Sequence, residues 1–316
     1  MKIGLYSVTY RGIWYKGESI GIREMIPLVK EQGWEGIELD TERPHAAPMD
    51  LSQEDRKEIR DLAGEHDLPI SAVSPNTDLS SPVSAYRDAM ICYLHECIKL
   101  THDLGAPICK VFAAWRGSAT RDGLGSYEYT NFESFPDWRK ERWEYVRDVL
   151  TESSKFAEDH GIVLALQNHG PDVVTGYQDV LTLIEEVGSP AFKACMDLCN
   201  EDDNCESADW AQKIVDQTGS LLVHSHFNGE FGRNSDGQIE LIPDEFFGDR
   251  KVAYDAYVDA LIASAYQGFM NWEFCHPAKQ NGKPAGIEYV HEHTRLALEY
   301  IKQLRANSEA RLAQCS

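Results

Sequence analysis

Positive charge and long apolar runs are both scarce in this 316-residue chain. Lysine and arginine together number 30, against 52 aspartates and glutamates, for a formal net charge of -22. Nucleic-acid backbones and anionic membranes are bound through a basic footprint, so neither is expected as a partner. No hydrophobic run reaches the ~18 to 20 residues that a membrane-spanning helix needs. A strand-like run begins at Lys2, so no signal peptide is expected. The eight cysteines (Cys92, Cys97, Cys109, Cys195, Cys199, Cys205, Cys275 and Cys315) contain no CxxC pair, and several sit in apolar patterns as small core residues do. A reduced, cytoplasmic protein is the expectation. A glycine-rich phosphate loop is also missing. Val8-Thr9-Tyr10-Arg11-Gly12 stands where a doubly wound dinucleotide-binding sheet would carry one.

What is present is regular punctuation. Candidate strands fall at 3–8, 35–40, 69–74, 107–113, 162–167, 192–197, 221–226 and 269–274. Helical patterns lie between them, near 19–32, 52–67, 83–104, 137–160, 176–187, 206–217 and 253–266, with a last helix over 286–307. Gln32-Gly33, His160-Gly161 and Gln267-Gly268 read as helix ends closed by a left-handed glycine. The strands are short, rich in Ile, Val and Leu, and apolar on both faces, as buried parallel strands are. Eight strand–helix units in strict alternation predict a single-domain (β/α)8 TIM barrel over 1–307, with a frayed tail at 308–316. Two long loops, 114–136 and 227–252, follow strand ends and read as lids or partner surfaces.

In such a barrel the chemistry sits at the C-terminal ends of the strands. Most polar residues there have ordinary explanations. A lone Asp is commonly a helix N-cap, and a lone buried His a satisfied core residue. His224 reads as the latter, one pleat deeper than His226. His291 and His293 on the last helix read as solvated, and Cys195 and Cys199 as packing. The exits of strands 5 to 8 are different. They offer an amide (Gln167), a carboxylate (Asp197), an imidazole (His226) and a carboxylate (Glu273), all converging on the barrel mouth. Three oxygen donors and one nitrogen suit a divalent cation such as Mn²⁺, Mg²⁺ or Co²⁺ better than structural Zn²⁺.

With these residues in place, the chain resembles the xylose-isomerase-like sugar isomerases and epimerases. The likeness runs from Lys2 to about Leu304. The sub-pattern of Arg43-Pro44-His45, Phe112-Ala113-Ala114-Trp115, Leu166-Gln167-Asn168-His169 and His224-Ser225-His226-Phe227 resembles a narrower branch, the catalytic subunits of C-glycoside deglycosidases and related 3-keto-glycoside-processing proteins. The resemblance implies a Glu, an Asp, a His and a Glu as metal ligands on strands 5 to 8, which fall on Gln167, Asp197, His226 and Glu273. It also implies α-proton abstraction from a keto-sugar or keto-glycoside through a metal-stabilised enediolate. Gln167 departs from the pattern: its carbonyl oxygen can ligate, but it cannot take a proton. His169, two residues on, is then the candidate acid/base beside Glu273. His45, Asn200, Arg233 and His276 are assigned to substrate hydroxyls, and Trp115, Tyr127 and Tyr129 to stacking on a ring. Three readings stay open: an isomerase or epimerase, a β-eliminating lyase, and a non-catalytic sugar-binding subunit. A metal-dependent endonuclease is set aside on charge. A homo-oligomer or a second, smaller subunit would be compatible with the chain.

Overall fold

The computed structural model describes residues 1–127, 138–170 and 172–315. Eight parallel strands close into one barrel. They are β1 (Lys2–Tyr6), β2 (Gly36–Asp40), β3 (Ile70–Ser74), β4 (Ile108–Val111), β5 (Val163–Gln167), β6 (Phe192–Asp197), β7 (Leu222–Asn228) and β8 (Phe269–Glu273). Each strand pairs with its neighbours in the chain, and β8 closes on β1 with Lys2 opposite Phe269 and Leu5 opposite Trp272. Among the described residues, eight α-helices pack outside: α1 (Ile22–Gln32), α2 (Gln53–Glu65), α3 (Ser84–Asp103), α4 (Arg139–Asp159), α5 (Tyr177–Val187), α6 (Ala208–Thr218), α7 (Tyr254–Ala263) and α8 (Ile287–Cys315). This is the predicted single-domain TIM barrel.

Local chemistry explains the boundaries. Ser52 opens α2 with a capping box, its hydroxyl accepting from the Asp55 N–H while the Asp55 carboxylate accepts from the Ser52 N–H. Gly33 closes α1 in the left-handed region, at φ 92°. Gly268 works otherwise than the sequence suggests. α7 ends at Ala263, and Ala265 takes the left-handed turn at φ 57°. Gly268 lacks a side chain because a Cβ there would lie 2.5 Å from the Val223 carbonyl oxygen. At its far end, α8 runs to Cys315, past the point where a frayed tail was expected. Ser308 is buried and Arg311 pairs with Asp259 of α7, so packing holds the helix together.

The segments leaving β4, β7 and β8 fold as hairpins: Ala119–Arg121 with Leu124–Ser126, Glu230–Arg233 with Ile239–Ile242, and Lys279–Gln280 with Lys283–Pro284. All three stand at the C-terminal face of the barrel and frame its mouth. Inside the barrel, Gly4 leaves the space that the Asn271 side chain fills. Cys92, Cys97, Cys109, Cys195, Cys199, Cys205 and Cys275 are free thiols.

Candidate metal centre and active site

The stretch Gln167-Asn168-His169 divides its three side chains between two tasks. Asn168 turns away from the mouth and clamps the tip of β6. Its Oδ1 accepts from the Asp197 N–H at 2.8 Å, and its Nδ2 donates to the Asp197 carbonyl at 3.0 Å and to Glu201 Oε1 at 2.5 Å. Gln167 stays inside the barrel, 1% exposed, and its Oε1 has no hydrogen-bond donor among the described residues. His169 stands at the mouth. Its Nδ1–H donates to the Gly170 carbonyl at 2.7 Å, which leaves the Nε2 lone pair free. Its ring packs against Trp115, centroids 4.3 Å apart, and edge-on against Phe112 at 5.0 Å. Burial pushes its pKa down to about 4, so it is neutral at pH 7 and open to receive a proton.

The neighbouring strands complete the set. Asp197 is fully buried; its Oδ1 accepts from the Cys199 N–H, and its Oδ2 from Asn200 Nδ2 at 3.2 Å and Asn228 Nδ2 at 3.4 Å. Burial and the adjacent Glu273 charge both push its pKa up. Glu273 Oε1 lies 3.6 Å from His226 Nδ1. Burial acts against the Glu273 charge, but His226 outweighs it and the pKa falls below the usual carboxylate range.

Below this layer lies a group that the strand-end pattern did not single out. Glu38 on β2 is fully buried, and its Oε2 meets His226 Nε2 at 2.7 Å, His224 Nε2 at 2.8 Å and Asn271 Nδ2 at 2.8 Å. The two histidines raise the stability of its charge beyond what burial removes, and hold its pKa well below the usual range. An ionised carboxylate only accepts, so both imidazoles donate through Nε2–H. Neither Nδ1 atom has a hydrogen-bond partner among the described residues. A carboxylate oxygen and two ring nitrogens within 4.8 Å of one another could by themselves hold an ion. Here three N–H donors already occupy that carboxylate. The group is better suited to orienting ligands, as a carboxylate behind a metal-bound histidine does.

The fit to a cation rests on two orphaned atoms. Gln167 Oε1 and His226 Nδ1 are buried polar atoms without a hydrogen-bond partner among the described residues, on strands that flank Asp197. His226 Nδ1 moreover faces a carboxylate oxygen. Burial opposes a charge on that ring, but Glu38 and Glu273 outweigh it and raise the pKa to about 9. A proton and a cation compete for such a nitrogen.

A cavity of about 270 Å³ opens beside these groups, lined among others by Trp115, His169, Asp197, Asn200, Phe246 and Glu273. Trp115 and Asn200 thus stand where the sequence suggested, and Tyr127 shares the wall. Tyr129 lies outside the described residues. Three expected substrate contacts are elsewhere. Arg233 is exposed on the hairpin after β7 and forks onto both oxygens of Glu299 at 2.8 Å, because the hairpin carries it outward past the mouth. His276 is buried under the rim, stacked on Phe274 at 4.3 Å and 3.2 Å from Glu230 Oε1. His45 is buried against the Ile20 carbonyl at 3.1 Å. His293, expected in solvent, is 5% exposed and accepts from the Phe231 N–H, because the hairpin after β7 folds over that face of α8. His224 is fully buried one pleat below His226, as its position implied, but its Nδ1 is not satisfied by any described residue.

The family described as Xylose isomerase-like TIM barrel matches residues 26–302. Fructoselysine 3-epimerase of Shigella flexneri is 24% identical over 281 residues, which cover 86% of this chain and 90% of that one. A crystal structure of D-psicose 3-epimerase, obtained in the presence of D-fructose, superimposes with a TM-score of 0.72 at 17% identity, over 96% of this chain and 99% of that one. The 3-keto-D-glucoside 4-epimerase of E. coli does so with a TM-score of 0.65 at 18% identity, over 94% and 99%. At these identities the structural likeness speaks to the fold.

Proposed function

The chain belongs to the xylose isomerase-like TIM-barrel family, and from that premise we propose that it is a sugar epimerase or isomerase acting on a keto-sugar or keto-glycoside. The observation that carries the reading is the pair of buried polar atoms without a hydrogen-bond partner among the described residues, Gln167 Oε1 and His226 Nδ1, on strands flanking Asp197, with His226 Nδ1 3.6 Å from Glu273 Oε1 and both Asp197 and Glu273 on the wall of an open cavity. These four residues would hold a divalent cation, Mn²⁺ in preference, whose chemistry is to polarise a ketone and an adjacent hydroxyl. The epimerase relatives support a keto-sugar as substrate.

The side chains then divide the work. Trp115 and Tyr127 wall the cavity and hold a sugar ring against the mouth. His169 Nε2 takes the proton from the carbon next to the ketone, and the electron pair of that C–H bond passes into the enediolate. Its conjugate-acid pKa of about 4 makes it as basic as an ordinary carboxylate, the group whose place Gln167 takes at this strand end. Glu273, on the wall of the same cavity, is the second group able to carry a proton. Return of the proton to the opposite face of the same carbon gives the epimer; return to the neighbouring carbon gives the isomer.

The test is exchange of a substrate α-proton into D₂O in the presence of Mn²⁺, over a panel of keto-sugars and 3-keto-glucosides, with product analysis. Exchange with a moved hydroxyl or carbonyl is expected. Release of an aglycone would overturn the reading in favour of a lyase, and sugar binding without exchange would point to a non-catalytic subunit.

A further inference from the structure

One buried charge has no place in the mechanism above. Lys110 on β4 is fully buried, and its Nζ has no hydrogen-bond partner among the described residues. It stands 3.8 Å from the centroid of the Phe112 ring and 5.1 Å from that of Tyr6. In the barrel register it pairs with Ala165, two residues before Gln167. It therefore belongs to the layer one pleat beneath the candidate metal ligands.

An ammonium held in this way is costly, because burial strips its water and nothing replaces all of its hydrogen bonds. The two rings recover part of that, through their electron-rich faces. Both rings also reach the site. Phe112 meets His169 edge-on at 5.0 Å, and Tyr6 lies 5.5 Å from the His226 ring. The cation is thus placed under the floor between the two sides of the mouth, and does not itself line the cavity. A methionine would fill the same volume without the cost, so a fold selected for stability alone has no use for a charge here.

We propose that Lys110 is a positioning residue whose ammonium offsets, from beneath, the negative charge that collects on the substrate when its α-proton is removed. This rests on the keto-sugar reading above. Gln167 and Lys110 then act in the same sense. One replaces a carboxylate by a neutral amide at the mouth, and the other adds a cation in the layer below. Both make the environment of the enediolate less negative, in a medium where a single charge is felt over several ångströms.

The experiment compares Lys110→Met and Lys110→Arg with the parent, each loaded with Mn²⁺. It reads α-proton exchange, kcat and KM on the keto-sugar the parent turns over, metal content, and thermal melting. Lys110→Met should keep its metal, its KM within about 2-fold and a melting point equal to or above the parent's, while kcat and exchange fall about 10- to 100-fold. Lys110→Arg, which keeps the charge, should recover a large part of that loss. Binding of a sugar hydroxamate, an anionic mimic of the enediolate, should weaken with kcat in Lys110→Met. A Lys110→Met enzyme with parental kcat would overturn the proposal, as would one that melts several degrees lower, since the lysine would then be structural. A parent that exchanges no α-proton with any keto-sugar defeats the underlying reading instead, before any variant is made.

Discussion

Glu38 and His226 are 188 residues apart in the chain and 2.7 Å apart in the barrel, carboxylate Oε2 to imidazole Nε2. That contact decides which face of the ring is available. With Nε2–H committed to Glu38, Nδ1 is the nitrogen that His226 can offer a cation once its proton is displaced, and it is turned toward Glu273. Glu38→Gln should keep the fold and weaken Mn²⁺ binding about 10- to 100-fold, the usual effect of removing a carboxylate behind a metal-bound histidine. Metal titration by calorimetry reads it; parental affinity would show that Glu38 does not orient the ligand.

His224 and His226 make matching hydrogen bonds to the same oxygen, yet they should fail differently when removed. His226→Ala should lose the metal and all turnover. His224→Ala leaves the ligand set intact and deprives Glu38 of a buried donor, so it should bind Mn²⁺ while losing roughly 3 kcal/mol of stability. Urea unfolding together with metal analysis separates the two. The reverse pattern would place the metal one layer deeper, on Glu38 and His224.

His169→Asn should retain metal and fold and lose about 10²- to 10⁴-fold in rate, the scale of a general acid/base. Steady-state rates at saturating Mn²⁺, with matched metal content, are the measurement. An active variant would pass the proton to Glu273.

Gln167→Glu restores a carboxylate to the strand-5 position. It should bind Mn²⁺ more tightly, and it should turn over more slowly because the added negative charge works against the enediolate. A variant faster than its parent would mean that residue 167 is better placed to move the proton than His169.

His45 gives a pH test away from the metal centre. Its folded pKa, pushed down by burial to about 4, lies below the ~6.5 of an unfolded histidine. Between those values the unfolded chain binds more protons than the folded one. The contribution of His45 to stability is therefore complete above about pH 6.5 and is lost as pH falls toward 4, amounting to roughly 3 kcal/mol. His45→Gln can keep a donor for the Ile20 carbonyl and cannot titrate. Its urea midpoint should fall less than the parent's between pH 7 and pH 4.5. Equal losses would assign the acid sensitivity to other groups.

The sequence by itself determined where the strands stand and what leaves their ends. Eight short β-branched runs between helical patterns are a local signal, and the barrel strands begin and end within two residues of the predicted limits, whereas packing extends the last helix to Cys315. The period of two along a strand also placed His224 below His226 on one face, because that relation never leaves the strand. Tertiary structure decided everything that crosses the barrel. Glu38 and Asn271 sit inside runs that read as ordinary buried strands, and nothing near them in the chain announces that they meet His224 and His226. That meeting depends on the stagger between strands and on closure of β8 against β1. Arg233 and His293 exchanged places with expectation for the same reason: the hairpin after β7 turns one outward to Glu299 and covers the other, and the direction of a hairpin is set by what it packs on. Lys110 is the extreme case. The run 107–113 reads as one more buried strand without setting its lysine apart, and only in the closed barrel does that side chain acquire a position relative to the mouth.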